Sequence, residues 1–187
     1  MIQLSINIPK EFFSEKTGEK FTNCIYCGKS LDKSEHGYFI EKAYNNNPKT
    51  NETEIIFEYA ICLDCIQETQ NELSEKSLKN IQMYFKLYTK NKNIAEDDLL
   101  NTKKRITNCF ITNKPVSSYK EYQIAGFFID DCIIFTDLYP LSIGEYAIEE
   151  IQELISDKTR DYLDKFKDKV IPPSVREFVP DGRVVFI

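Results

Sequence analysis

Two cysteine pairs carry the clearest chemistry in this chain: Cys24-Ile25-Tyr26-Cys27 and Cys62-Leu63-Asp64-Cys65. Four thiolates suit Zn²⁺, which has no d-electron geometric preference and in structural sites fills all four tetrahedral positions with protein ligands. A C-x2-C pair reaches one ion from a single tight turn. Gly28, directly after Cys27, is the residue that such a turn accepts at positive φ without steric cost. The stretch between the pairs is longer than in a simple ribbon, so further structure must lie within it. Other uses of the cysteines each ask for something more. Two redox C-x-x-C motifs would each need a thioredoxin-like βαβ setting, which the flanking sequence does not offer. Two disulfides would need an oxidising compartment. Iron in a four-thiolate site stays open on ligand type alone. The expectation is one structural zinc per chain on Cys24, Cys27, Cys62 and Cys65, with no catalytic residue and no organic cofactor.

The elements that must position these ligands can be read around them. Tyr38 to Tyr44 and Ile55 to Ile61 are runs of β-formers, and Asn45 to Asn51 between them has the turn chemistry of a loop, so the pair reads as a hairpin. After the second cysteine pair, Ile66, Leu73, Leu78, Ile81, Phe85 and Tyr88 recur at mostly helical spacing. Cys62 and Cys65 therefore fall at a helix N-terminus, where the helix dipole favours thiolates. A knuckle, a hairpin and a ligand pair entering a helix resemble the treble-clef zinc finger, over roughly residues 20 to 90. The resemblance implies Cys24 and Cys27 on the knuckle and Cys62 and Cys65 at the helix start. It implies no activity, because treble clefs serve nucleic-acid binders, ribosomal proteins, nucleases and protein adaptors alike.

Outside this module, Ile2, Leu4, Ile6 and Ile8 alternate with polar residues, the pattern of a strand with one buried face, and Pro9 ends it. Residues 10 to 22 read as a charged connection anchored by Phe12 and Phe13. Residues 91–105 read as a linker with a short helix near Ala95 to Leu100. Its Glu96-Asp97-Asp98 and Lys103-Lys104-Arg105 runs read as solvated faces. The expected organisation is α+β: residues 1–90 with the zinc module, the linker, and residues 106–187 as a second module of a β-hairpin and two helices.

The second module can be set against the first. Residues 24 to 31 are C-I-Y-C-G-K-S-L and residues 109 to 116 are C-F-I-T-N-K-P-V. Cys and Lys recur at the same offsets, Asn113 stands for Gly28, and Thr112 stands for Cys27. Downstream, Leu63-Asp64-Cys65-Ile66 matches Asp130-Asp131-Cys132-Ile133, which sets Ile129 against Cys62 and makes Tyr119 to Phe128 a shorter hairpin. On this reading the second half is a degenerate duplicate that keeps Cys109 and Cys132, has too few ligands for a closed site, and binds no metal. The alternative is chance similarity of short windows, with Cys109 and Cys132 as small buried hydrophobes. Further on, Ser142-Ile143-Gly144-Glu145 has the form of a capping box. Ile143, Ala147, Ile148, Ile151, Leu154 and Ile155 make a helical stripe. Tyr162, Leu163, Phe166 and Val170 belong to a second helix, stopped by Pro172-Pro173. Arg183 to Ile187 reads as a short strand.

Composition narrows the function classes. The chain has 187 residues, a formal net charge of −6, one His and six Cys. No run approaches the ~18 apolar residues of a membrane span, and Met1 to Lys10 is too short and too alternating for a signal peptide. Six cysteines without such a signal fit a reducing cytoplasm. The acidic balance weighs against non-specific nucleic-acid binding, which needs clustered Lys and Arg. No phosphate loop, metalloprotease helix or nucleophile elbow occurs. The first expectation is a non-catalytic cytoplasmic scaffold or adaptor whose partner is another protein, docking on the helices of residues 142 to 170. The second is a nucleic-acid or ribosome-associated treble clef, contacting phosphates through Lys29, Lys33 and Lys42. The third is a His-Asn-His-type nuclease, which would have to use His36, the only His, as its base. His36 reads more simply as a turn residue before Gly37.

Overall fold

The computed structural model describes residues 6–33, 36–90 and 100–170. The expected strand at Ile2 and Leu4, most of the short helix at Ala95 to Leu100, Pro172-Pro173 and the strand at Arg183 to Ile187 lie outside the described residues. Among those residues the chain is α+β, with an antiparallel sheet and five α-helices. The strands are β1 (Ile6–Asn7), β2 (Tyr38–Asn47), β3 (Glu52–Cys62), β4 (Glu121–Ile129), β5 (Cys132–Ile134) and β6 (Leu141–Gly144). The helices are α1 (Leu63–Glu72), α2 (Glu75–Thr89), α3 (Thr102–Thr107), α4 (Glu145–Leu154) and α5 (Asp157–Val170).

The strand order is β1-β5-β4-β2-β3, with β6 also paired to β4. β2 lies between β3 and β4, and β4 uses its whole first edge for β2, from Tyr38↔Phe128 to Asn45↔Glu121. Its other edge is shared: Tyr122 to Ala125 pair with β6, and Phe127 to Ile129 pair with β5. The sheet thus runs without a break from the first half of the chain into the second.

Period-2 alternation gives the sheet two different faces. Tyr38, Ile40 and Lys42 of β2 share a face with Ile124 and Phe128 of β4. Residues 8–21 cover it, and Phe12, fully buried, meets Phe128 edge-on at 5.1 Å. The Lys42 side chain lies on this face with no solvent exposure. Its Nζ donates to the carbonyl oxygens of Glu11 (3.2 Å) and Phe13 (2.6 Å) and to Glu15 Oε1 (2.7 Å). Glu58 completes the clip by accepting from Ser14 Oγ and from the backbone N–H of Glu15. The opposite face carries Phe39, Glu41 and Tyr59 and meets α5, where Phe166 stands edge-on to Tyr59 at 5.5 Å. A second cluster, of Cys109, Leu141, Ile143, Ala147, Ile148 and Ile151, fixes α4 to β6.

Among the described residues, Glu41 is the one acid wholly enclosed in the core. Its Oε2 accepts from the Tyr59 hydroxyl, and its Oε1 has no partner. Burial pushes the carboxyl up to about 8, against the lowering effect of the Tyr59 hydrogen bond. The native state therefore keeps a proton that the unfolded chain releases above its ordinary value of 4.5. Stability from this group is full below that value and declines as pH rises toward 8. Glu41→Gln removes the decline. Between pH 5 and pH 7 the unaltered protein should lose about 2–3 kcal/mol relative to the variant. Urea unfolding of both proteins at the two pH values measures it, and equal pH slopes would contradict it.

Three local expectations are corrected by hydrogen bonding. The helix after Cys65 is two helices: Leu73 is extended, and Ser74 caps α2 by accepting from the Ser77 N–H at 3.1 Å. A serine followed by a helical pattern is itself a start signal, and it interrupts the apolar periodicity. The loop at Asn45 to Asn51 is shorter, because Asn45 to Asn47 continue β2 against Glu52 to Glu54. No capping box forms at Ser142: the residue belongs to β6, its hydroxyl donates to the Asn108 carbonyl at 2.7 Å, and α4 starts after Gly144. Strand pairing of Leu141 to Gly144 with β4 claims the backbone that the box would have used.

Where α2 and α5 begin, four hydroxyls meet. The Ser74 N–H donates to Thr159 Oγ1 (3.0 Å) and the Ser156 N–H donates to Ser77 Oγ (2.9 Å). Ser77 and Thr159 are fully buried, and one backbone N–H at each helix start is satisfied by a hydroxyl of the other. Thr159→Val leaves the Ser74 N–H unpaired, and chemical denaturation should register a loss of about 1–3 kcal/mol.

Candidate metal centre

Local backbone geometry brings the four expected cysteines together. In the knuckle, the Gly28 N–H donates to the Cys24 carbonyl and the Cys24 N–H to the Lys29 carbonyl, both at 2.9 Å. Gly28 has φ of +73°, the left-handed conformation for which glycine is favoured. The Ile25 N–H then donates to the Ala60 carbonyl at 2.8 Å, which fixes the knuckle against the end of β3. β3 runs through Cys62, which is also the N-cap of α1, so Cys65 falls in the first turn of that helix. Gly37 closes the assembly: its φ is +87°, its carbonyl accepts from the Leu63 N–H, and an added Cβ would lie 2.5 Å from the Phe128 carbonyl oxygen.

The Sγ atoms of Cys24, Cys27, Cys62 and Cys65 all lie within 4.8 Å of one another. Cys27 and Cys62 are 3.9 Å apart. Four thiolates at about 2.3 Å from a tetrahedral Zn²⁺ lie about 3.8 Å from each other, so the cluster fits one ion of that size. Cys24, Cys62 and Cys65 are buried and Cys27 is exposed. The Cys62 N–H points at Cys24 Sγ from 3.4 Å, the kind of donor that stabilises a thiolate ligand. Burial opposes charge on Cys24, yet backbone donors from Cys27, Cys62 and Tyr26 bring its thiol down to about 7. Burial and the neighbouring thiols hold Cys62 and Cys65 above the ordinary value. A divalent cation at the centre would remove that repulsion, and binding would release protons.

The remaining residues singled out by sequence separate from this site. His36 Nδ1 is 3.0 Å from Asp64 Oδ1 at the surface, both side chains being more than half exposed. Cys132 does not match Cys65: it lies in β5 opposite Asn7 rather than at a helix start. Cys109 is fully buried, and its Sγ accepts from the Gly144 N–H at 3.3 Å. Lys42, expected as a phosphate contact, is enclosed in the N-terminal clip, while Lys29 is exposed on the knuckle. The adjacent charges Glu41-Lys42 within a β-prone run were the signal for that clip and for the buried acid, since alternation sends the two side chains to opposite buried faces.

No protein-family model matches this chain, and neither does any curated protein or solved structure with which it was compared. The four-thiol cluster therefore stands on its own geometry.

Proposed function

We propose that this chain is a zinc-stabilised, non-catalytic cytoplasmic protein that acts as a scaffold or adaptor for another protein. Its first half is read as a treble-clef-like unit. The observation that carries this is the closed ligand set. Four thiolates on one ion satisfy a tetrahedral Zn²⁺ and leave no coordination position for substrate or activated water. The ion then works as a cross-link between knuckle, hairpin end and helix start. The surface charge supports a protein partner over a polyanion: the chain carries 30 acidic against 24 basic residues. One of the three lysines offered for phosphate contact is consumed inside the fold. Tyr146 on α4 and Met83 on α2 expose more than half of their surface, and large apolar side chains held in water by rigid helices are suited to docking.

Two measurements test the reading. Fluorescence anisotropy with single- and double-stranded RNA and DNA should give no binding whose logarithm falls linearly with the logarithm of salt concentration. Tight, salt-dependent binding would instead support the nucleic-acid reading. Crosslinking of the tagged chain in its native cytoplasm should place a protein partner on α2, α4 or α5, and Tyr146→Asp should abolish that crosslink with little change in stability. Crosslinks confined to nucleic acid would overturn the proposal.

A further inference from the structure

We infer that the second half repeats the unit of the first. Cys109, Thr112, Gly144 and Ala147 stand at its four ligand positions, and Tyr119 fills the place that an ion would take. The inference rests on the reading of the first cluster as a metal site.

The two halves share their hydrogen bonds part by part. Asn23 bridges Ser30, and Asn108 bridges Pro115. The Cys24 N–H donates to Lys29 and the Cys109 N–H to Lys114; the Gly28 N–H donates to Cys24 and the Asn113 N–H to Cys109. Gly28 and Asn113 both have positive φ, +73° and +59°. Each knuckle is pinned in the same way: the Ile25 N–H donates to Ala60, and the Phe110 N–H donates to Ser142. Each first cysteine sulfur accepts from the residue two positions further on, Cys62 in one half and Gly144 in the other. That residue pairs with Tyr38 in the first half and with Tyr122 in the second, and it is the N-cap of a ten-residue helix in both. An extended residue follows each helix, Leu73 or Ile155, and then a serine whose hydroxyl faces the N–H three residues on, Ser77 or Thr159. From Ile66 and Ile148 onward the two helix sequences keep Glu68/Glu150, Gln70/Gln152, Ser74/Ser156 and Lys76/Lys158 in step.

A two-fold axis relates the copies. It passes between β2 and β4, where Tyr38 faces Phe128 and its counterpart Tyr122 faces Tyr44. It also passes through the hydroxyl cluster, where Ser74 and Thr159 exchange roles with Ser156 and Ser77.

This correspondence sets Thr112 against Cys27, both exposed, and Ala147 against Cys65, both buried. Tyr119 touches Thr112 and Gly144 and shares one buried cluster with Cys109 and Ala147. Its hydroxyl is hydrogen-bonded to Thr112 Oγ1. Its ring presses on Gly144 so closely that a Cβ there would lie 2.6 Å from Cδ2 and Cε2. A cysteine at position 144 and Tyr119 therefore exclude one another. The tyrosine ties the knuckle to the helix start by packing and a hydrogen bond, as the ion does by coordination.

The test is to rebuild the second site. The combined variant Tyr119→Ala, Thr112→Cys, Gly144→Cys, Ala147→Cys is purified in zinc-containing buffer, dialysed, and its zinc per chain is measured beside the unaltered chain. One more equivalent than the unaltered chain is expected, and adding Cys109→Ser should remove it. A folded variant with no gain would overturn the inference. The count for the unaltered chain reads the first site separately, so zero there with one in the variant would defeat the first-site reading alone. If the variant does not fold, a crystal structure of the unaltered chain with zinc decides. Superposing residues 22–33 and 59–77 on residues 107–118 and 141–159 must bring the ion onto the Tyr119 side chain, and any other position would overturn the proposal.

Discussion

Cys65→Ser should abolish metal binding and lower the thermal midpoint by about 8–16 °C, the equivalent of about 4 kcal/mol for a chain of this size. The size of the effect follows from how little else holds α1. Cys65 and Thr69 are its only buried side chains among ten residues, and Ile66, half-buried against the core, is the main apolar contact beside them. The knuckle adds the Tyr26 ring, stacked on Phe166 at 6.4 Å, and the buried Leu31, but Ile25 is exposed at its tip and its backbone bond to the hairpin is the one from Ile25 to Ala60. An ion joining four sulfurs from both parts supplements this small core. In structural zinc units, binding free energy is folding free energy. The loss should be local: amide exchange should accelerate in residues 22–33 and 62–72 and stay slow in β2 and β4. Calorimetry and hydrogen exchange on the same variant measure both effects. A variant that loses zinc while keeping its midpoint would show that the ion is an ornament of an already stable fold.

Lys42→Met should cost about 2–5 kcal/mol, the range for leaving two enclosed backbone acceptors unpaired while the half-exposed Glu15 carboxylate turns to water, and lower the midpoint by roughly 4–20 °C. The ammonium satisfies two carbonyl oxygens and the Glu15 carboxylate from a fully enclosed position. Methionine fills the same length with no donor, leaving the Glu11 and Phe13 carbonyls unpaired against the sheet. Residues 10–21 should then detach and become sensitive to protease, while the zinc count stays unchanged. The hydrogen bond from Lys42 holds the Glu15 carboxyl below its ordinary value. Glu15 therefore stabilises the fold above its ordinary pKa, and the contribution is lost as pH falls through its native value. In Lys42→Met, an NMR titration should find Glu15 back in the ordinary carboxylate range. An unshifted Glu15 and an intact N-terminal segment would contradict the account.

The clustering of Cys24, Cys27, Cys62 and Cys65 was legible because C-x2-C spacing and a following glycine are local signals, and because β-formers and helical periodicity framed them. The hairpin and the helix start followed from the same periodicities. Tertiary pairing was not legible in this way. Leu141 to Gly144 carry a capping-box pattern and an apolar stripe, yet the free edge of β4 recruits them as a strand. The match of Cys132 to Cys65 failed for a related reason. It compared cysteines with cysteines, whereas the inferred repeat rests on backbone hydrogen bonds and sets Gly144 and Ala147 where Cys62 and Cys65 stand. Lys42 and Glu41 show the complementary limit, since adjacent charges in a strand read as solvent-facing until both sheet faces are known to be covered.

The proposed reading requires a single structural ion on Cys24, Cys27, Cys62 and Cys65. Metal content per chain, measured by inductively coupled plasma mass spectrometry on protein purified without added metal, tests it most directly. One zinc per folded chain is expected, falling to none in Cys65→Ser. A folded chain that carries no zinc and takes up none when it is supplied would contradict the account.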